Sequence, residues 1–243
     1  MSELKWNKKA ATYSRYSSSS DSFEAKVLRD IDEFGIDFCG KTVLDIGCGT
    51  GIYTLHIAKD ALIVDALDFA NEMLDILKQD ALALHVNNIH TIHSSWENFT
   101  CKDMYDIAFS TMSPAMTLES AYEKFDKSGD IKVYLGWNGK RKSSILNPLF
   151  ELFGKSYTAP KGAVELQKWL ENNNKKYYQK EYIEIREVNK SLEDMFENIS
   201  WHLAINESCF DEKKVLDFLK SQMDDKSFIT NKIESGMKLL IWK

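Results

Sequence analysis

The segment Val43-Leu44-Asp45-Ile46-Gly47-Cys48-Gly49-Thr50-Gly51 constrains this chain more than any other stretch. Thr42 to Ile46 is a short β-branched, apolar run that stops at glycines 47, 49 and 51, and helical spacing resumes from Tyr53 to Ala58. That order specifies a strand feeding a tight turn and then a helix. Glycine admits positive φ and has no Cβ, so a ligand can lie against bare backbone. The helix start behind the turn offers N–H groups that favour an anionic group. Asp68 stands seventeen positions beyond Gly51 (68 − 51), just past a second apolar run, Leu62 to Leu67. A carboxylate there can accept both hydroxyls of a ribose.

The rest of the chain continues the alternation. Asp21 reads as a helix N-cap, with Phe23, Val27, Leu28, Ile31 and Phe34 at helical spacing and Gly35 as the stop. Asn71 to Leu84 is helical, and Ile89–His93, Tyr105–Ser110 and Ile131–Leu135 are further strands. Strands alternating with helices specify an α/β fold, a doubly wound parallel sheet covered on both faces, with the ligand site at the carboxyl edge. Beyond Leu135 the pattern changes. The basic triplet Lys140-Arg141-Lys142 reads as a solvated loop, Ala163–Leu170 as a helix and Tyr182–Arg186 as a half-exposed strand. Ser191-Leu192-Glu193-Asp194 resembles a capping box ahead of a helix, residues 212–223 form another, and Met237–Trp242 is a terminal strand. The expected organisation is one domain over 1–243, an N-terminal segment over 1–20, and partly substrate-facing helical additions within 138–235.

Composition narrows the function classes. With 44% hydrophobic and 28% charged residues, the chain is neither disordered nor a disulfide scaffold. No uncharged apolar run approaches the roughly 18–20 residues of a membrane span, and the start lacks an apolar signal core, so a cytoplasmic protein without a membrane partner is expected. Cys39, Cys48, Cys101 and Cys209 read as free thiols. A net charge of −6 argues against a nucleic-acid partner.

The dinucleotide pattern GxGxxG needs its third glycine at position 52, which here is Ile52. A nucleotide-dependent oxidoreductase is therefore disfavoured. Asp45-Ile46-Gly47-Cys48-Gly49-Thr50-Gly51 instead resembles the first motif of the class I S-adenosylmethionine-dependent methyltransferases, D/E-x-G-x-G-x-G. Asp68-Phe69-Ala70-Asn71-Glu72-Met73-Leu74 is similar to that family's second motif. The resemblance implies a seven-stranded sheet with one antiparallel strand at the C-terminus. It also implies S-adenosylmethionine as cofactor. Gly47, Cys48, Gly49 and Gly51 would lie under its amino-acid and ribose parts, Asp45 would hold its ammonium group, Asp68 its ribose, and Phe69 and Met73 its adenine. The family's usual Asp after the third strand is replaced by Ser95. Ser95 or Glu97 is then left to accept from the adenine amino group, with Trp96 as an apolar face.

The loop after the fourth strand, Ser110-Thr111-Met112-Ser113-Pro114-Ala115-Met116, should border the methyl group, which makes Ser110 and Met112 further candidates. It carries neither the Asn/Asp-Pro-Pro-aromatic motif of base-modifying enzymes nor an acidic metal ligand. The expected partner is therefore a small-molecule methyl acceptor, with no metal. Trp6 to Tyr16 resembles the lid segment of small-molecule methyltransferases, with Tyr13 or Tyr16 contacting cofactor or substrate. Trp137 to Arg141 is expected to leave the sheet at the active edge, where Arg141 is placed to bind a substrate carboxylate. Tyr16 and His202 are the catalytic candidates, His202 as a general base. A tRNA or protein methyltransferase, or a non-catalytic cofactor-binding module, remains as an alternative.

Overall fold

The strands at the centre of the chain are apolar along nearly their whole length, and the computed structural model buries them on both faces. It describes residues 3–205 and 210–243. The first four strands are β1 (Thr42–Ile46), β2 (Ile63–Asp68), β3 (Ile89–His93) and β4 (Tyr105–Thr111); the last three are β5 (Gly129–Ser143), β6 (Tyr177–Lys190) and β7 (Ile229–Trp242). They form one seven-stranded sheet in the order β3-β2-β1-β4-β5-β7-β6. β1 pairs in parallel with β2 and β4, β2 with β3, and β4 with β5. The C-terminal strand β7 is the antiparallel member. The expected α/β doubly wound sheet is therefore the fold observed. The strand order reverses between β1 and β4, and a crevice forms at the carboxyl ends of strands at such a switch point.

Nine helices are described: α1 (Glu3–Ala10), α2 (Phe23–Glu33), α3 (Thr54–Ile57), α4 (Asn71–Ala83), α5 (Glu119–Asp126), α6 (Leu146–Leu152), α7 (Gly162–Asn172), α8 (Leu192–Ile205) and α9 (Glu212–Ser221). The cap of α2 corrects the expectation for Asp21. Ser22 is the N-cap, its hydroxyl accepting from the Ala25 N–H at 3.1 Å. At the start of α8, Ser191 accepts from the Asp194 N–H at 3.2 Å and donates to the Asp194 carboxylate at 2.8 Å, a capping variant in which Asp reaches the hydroxyl.

The chain divides into two compact units. The first comprises 1–136, 161–180 and 238–243. Its core gathers Leu44, Ile46, Leu67, Phe125, Tyr134, Leu166, Leu240 and Trp242, all at most 2% exposed. Trp242 donates its indole N–H to Asp126 at 2.7 Å, and Lys175 pairs with the same carboxylate at 2.6 Å. Their bonds supply this partly buried acid with partners, without which its charge would be costly there.

The second unit comprises 137–160 and 181–237, and so includes 137–143 of β5, 181–190 of β6 and 229–237 of β7. α6, α8 and α9 supply its core with Leu146, Leu149, Ile199, Leu203, Val215 and Leu219. Trp137 to Lys142 lie inside β5, so the expected departure from the sheet at Trp137 and the loop at Lys140-Arg141-Lys142 are both corrected. Lys140 and Lys142 are exposed while Arg141 and Ser143 between and beyond them are more buried, as suits an antiparallel extension with one face in water. Cys39, Cys48 and Cys101 are free thiols; Cys209 lies outside the described residues.

Candidate functional site

A cavity of about 430 Å³ opens at the carboxyl ends of β1, β2, β3 and β4, within the first unit. Its walls begin at the glycine turn, where Gly47, Gly49 and Gly51 all adopt positive φ, +73°, +57° and +80°. Two of these glycines serve packing. A Cβ on Gly47 would stand 2.0 Å from the Ser113 hydroxyl, and one on Gly51 would stand 2.2 Å from Leu77 Cδ1. At Gly49 only Tyr13 Cε1 lies near, at 4.0 Å. The bare backbone that faces the cavity is thus Gly49, and the flanking glycines let the turn sit tightly against β4's loop and α4. The helix behind the turn, α3, is a single turn, so the dipole expected to favour an anionic group has little length over which to build.

Asp68, at the tip of β2, is 8% exposed. Its two oxygens accept from the Gly49 N–H at 2.9 Å and the Ala70 N–H at 2.8 Å. These bonds fix the carboxylate's orientation and leave each oxygen a further lone pair. Burial pushes its pKa up, and the backbone donors oppose that rise. Asp45 lies deeper, 1% exposed. Its Oδ2 accepts from the Thr54 hydroxyl at 2.6 Å, while Oδ1 is buried without a partner. Burial, reinforced by the nearby Asp68 charge, pushes the Asp45 pKa up to about 7.

The opposite wall comes from β3 and α5. Ser95 accepts from the Asn98 N–H at 3.2 Å, and buried Trp96 donates to the Ala121 carbonyl at 3.3 Å. The Lys124 ammonium sits 4.3 Å above the Trp96 ring and donates to the carbonyls of Trp96, Glu97 and Phe99. Lys124 therefore fastens the 96–99 loop in place. After β4, Met112 takes φ +51°, unusual for a residue with a side chain, and donates its N–H to the Leu135 carbonyl at 2.8 Å.

The N-terminal segment is the last wall. Trp6 and Tyr13 meet edge to face with centroids 6.1 Å apart, and both line the cavity. Polar ties hold the segment down. Thr50 donates to the Ser14 carbonyl at 2.6 Å, Asn7 accepts from the Glu72 N–H at 3.2 Å, Glu3 pairs with His93 at 3.1 Å, and Arg15 reaches Asp80 at 3.0 Å.

Of the candidate residues, the fold brings Tyr13, Gly47, Gly49, Asp68, Phe69, Met73, Ser95, Trp96, Glu97 and Met112 to the cavity wall. Asp45, Cys48 and Gly51 stand behind it. Ser110 is fully buried and donates to the Ile46 carbonyl at 2.9 Å, tying β4 to β1. Tyr16 also stays off the wall, its ring tilted on His56 at 4.7 Å. His202 belongs to the second unit, edge to face with Trp201 at 5.0 Å. Sequence reasoning missed Trp6 as a site residue and the whole contribution of α5, Ser120, Ala121 and Lys124. A signal for α5 was present, since Leu118, Tyr122 and Phe125 fall at helical spacing. His90 pairs with Asp65 at 3.3 Å, and among the described residues no three His, Cys, Asp or Glu side chains gather as metal ligands do.

Residues 43–127 match the family model described as a methyltransferase domain. Relatives with curated records match over part of this chain. One, from Haemophilus influenzae and of unassigned function, is 29% identical over 134 residues, 54% of this chain and 49% of its own length. A ubiquinone biosynthesis O-methyltransferase from Neisseria meningitidis is 31% identical over 102 residues, 37% of this chain and 43% of its own length. The chain thus spans about half the length of these relatives. Among solved structures, the chain's fold is similar to that of the YcgJ protein of Bacillus subtilis, with TM-score 0.57, 14% identity, and 90% of this chain and 99% of that one covered. It is also shared with a SAM-dependent methyltransferase from Thiobacillus denitrificans in complex with S-adenosyl-L-homocysteine, with TM-score 0.56, 14% identity, and 100% and 99% covered.

Proposed function

We propose that this protein is an S-adenosylmethionine-dependent methyltransferase acting on a small-molecule acceptor. The observation that carries the reading is Asp68, a carboxylate held at the cavity's floor by two backbone donors, facing bare backbone at Gly49. A second feature fits the same cofactor. The unpartnered Oδ1 of Asp45 is a buried acceptor suited to an ammonium group, which would also favour loss of the Asp45 proton. The cofactor has no phosphate, so a turn of three glycines with little helix dipole behind it serves.

In this reading Asp68 takes the ribose hydroxyls on its remaining lone pairs. Phe69, Met73 and Trp96 offer apolar faces to the adenine, and Ser95 or Glu97 accepts from its amino group. When bound, S-adenosylmethionine supplies an electrophilic methyl group on a sulfonium sulfur. Tyr13 and Trp6 present aromatic surface, which suits a cation, and exclude water from that side. The loop from Met112 to Ala115 borders the same cavity. The protein's work is alignment and dehydration of the two reactants.

Two observations favour a small acceptor. The net charge of −6 disfavours a nucleic-acid backbone. Several relatives, in Neisseria meningitidis and Vibrio vulnificus, carry the name ubiquinone biosynthesis O-methyltransferase. The test is incubation of the protein with methyl-labelled cofactor and cell extract. Label is expected in the low-molecular-mass fraction. Label in RNA or protein would overturn the acceptor class, and no transfer to any fraction would overturn the enzymatic reading.

A further inference from the structure

The outer strand of the second unit has a surface that the methyl-transfer reading leaves unused. β6 ends the sheet order, so among the described residues one of its long sides has no neighbouring strand. Natural edge strands are kept short, bent or charged at the centre to prevent pairing with another chain. This strand runs for 14 residues, and although Glu184 and Arg186 charge its centre, it exposes Ile183 at 70% and Ile185 at 74%. Those two residues are spaced by two, so they share one face. On that face Glu187 reaches Lys232 of β7 at 3.6 Å and Asn189 accepts from Thr230 at 2.7 Å, contacts toward the inner side of the strand.

The charge pattern of 181–190 identifies what fits there. Two copies pairing antiparallel about a two-fold axis place each residue opposite one of equal parity, because the axis preserves the two faces of the sheet. Four central registers follow. Centring the axis on Ile183 puts Arg186 opposite Lys180. Centring on Glu184 puts that carboxylate against its own copy and Glu181 against Glu187. Centring on Arg186 opposes two guanidinium groups. Centring on Ile185 places Ile185 on Ile185, Tyr182 on Val188, and each Glu184 opposite Arg186, so both charge pairs are attractive. Glu184 and Arg186 already lie on one face, paired along the strand at 2.9 Å, so the four side chains of two copies would meet as one alternating cluster.

We propose that β6 is a self-recognition edge, and that a second copy of this chain pairs with it antiparallel, centred on Ile185. The protein is then dimeric in solution by analytical ultracentrifugation. Glu184→Arg and Arg186→Glu each give a monomer, because each opposes like charges across the axis. The double variant, carrying both, restores the dimer. Ile185→Cys yields, on mild oxidation, a disulfide joining 185 to 185 by peptide mass spectrometry, and Ile183→Cys, which faces Glu187, does not. A monomeric wild-type protein, or a dimer that survives either single charge reversal with unchanged affinity, would overturn the proposal. The cysteine variants decide the matter even if a charge reversal impairs folding. An unlinked Ile185→Cys protein, or a 183-to-183 link, would refute this register.

Discussion

Replacing Asp45 with Asn tests the buried acid behind the cavity, and the expected effect follows from its surroundings. The side chain is 1% exposed, one oxygen is bonded to Thr54 and the other has no partner. Its carboxyl is pushed from the ordinary 3.8 up to about 7, chiefly by burial. Between those two values the folded protein keeps a proton that the unfolded chain has lost. Stability therefore falls as pH rises from about 4 to about 7. At about 1.4 kcal/mol per pH unit, the accumulated loss is on the order of 4 kcal/mol. Asparagine keeps the oxygen that accepts from Thr54 and cannot ionise. The expected outcome is that Asp45→Asn matches wild type near pH 4 and exceeds it by up to that amount at pH 8. Urea unfolding of both proteins at matched pH measures the difference directly. A difference that stays flat with pH would refute the argument, whatever its size. The same substitution removes the acceptor proposed for the ammonium group, so cofactor affinity should fall although the protein is more stable. Calorimetry in two buffers of different ionisation enthalpy should show proton release on cofactor binding to wild type below pH 7, and none to the variant.

Asp68→Ala should weaken S-adenosylmethionine binding at least tenfold by calorimetry, since each charge-assisted hydrogen bond lost contributes about 1.5 kcal/mol or more; unchanged affinity would remove Asp68 from the site. Gly49→Ala and Gly51→Ala should separate. At Gly51 the added methyl meets Leu77 and lowers the melting temperature most, whereas at Gly49 it meets open cavity, so binding should fall more than at any comparable loss of stability; equal melting losses with intact binding at 49 would contradict the division. Deleting residues 1–20 removes Trp6 and Tyr13 from the wall, and turnover should drop more than stability; a loss of melting temperature with normal kinetics would make the segment structural.

How far the chain could be read depended on what each residue's signal encodes. β1, β2 and β4 were legible because strands buried on both faces are nearly continuous apolar runs, with Val43 to Ile46, Ala66 to Asp68 and Ile107 to Ser110 buried. The later part of β5 was not. Asn138, Gly139, Lys140 and Lys142 carry loop-like chemistry, and a one-sided antiparallel extension tolerates it. α6 is short and contains Pro148, which disguises it. At the site, Gly47, Gly49 and Gly51 announce themselves because positive φ restricts the residue type. Lys124 has no such signature. Its role arises from α5 passing the carbonyls at 96, 97 and 99, a tertiary event. Tyr13 was distinguishable from Tyr16 only once Trp6 and His56 were placed on either side.

The most direct measurement is a crystal structure of the protein grown with S-adenosyl-L-homocysteine. The expected density is a nucleoside lying over the Gly49 backbone with its ribose hydroxyls on the Asp68 carboxylate. A cavity that stays empty at saturating ligand, or a ligand bound elsewhere with Asp68 untouched, would contradict it.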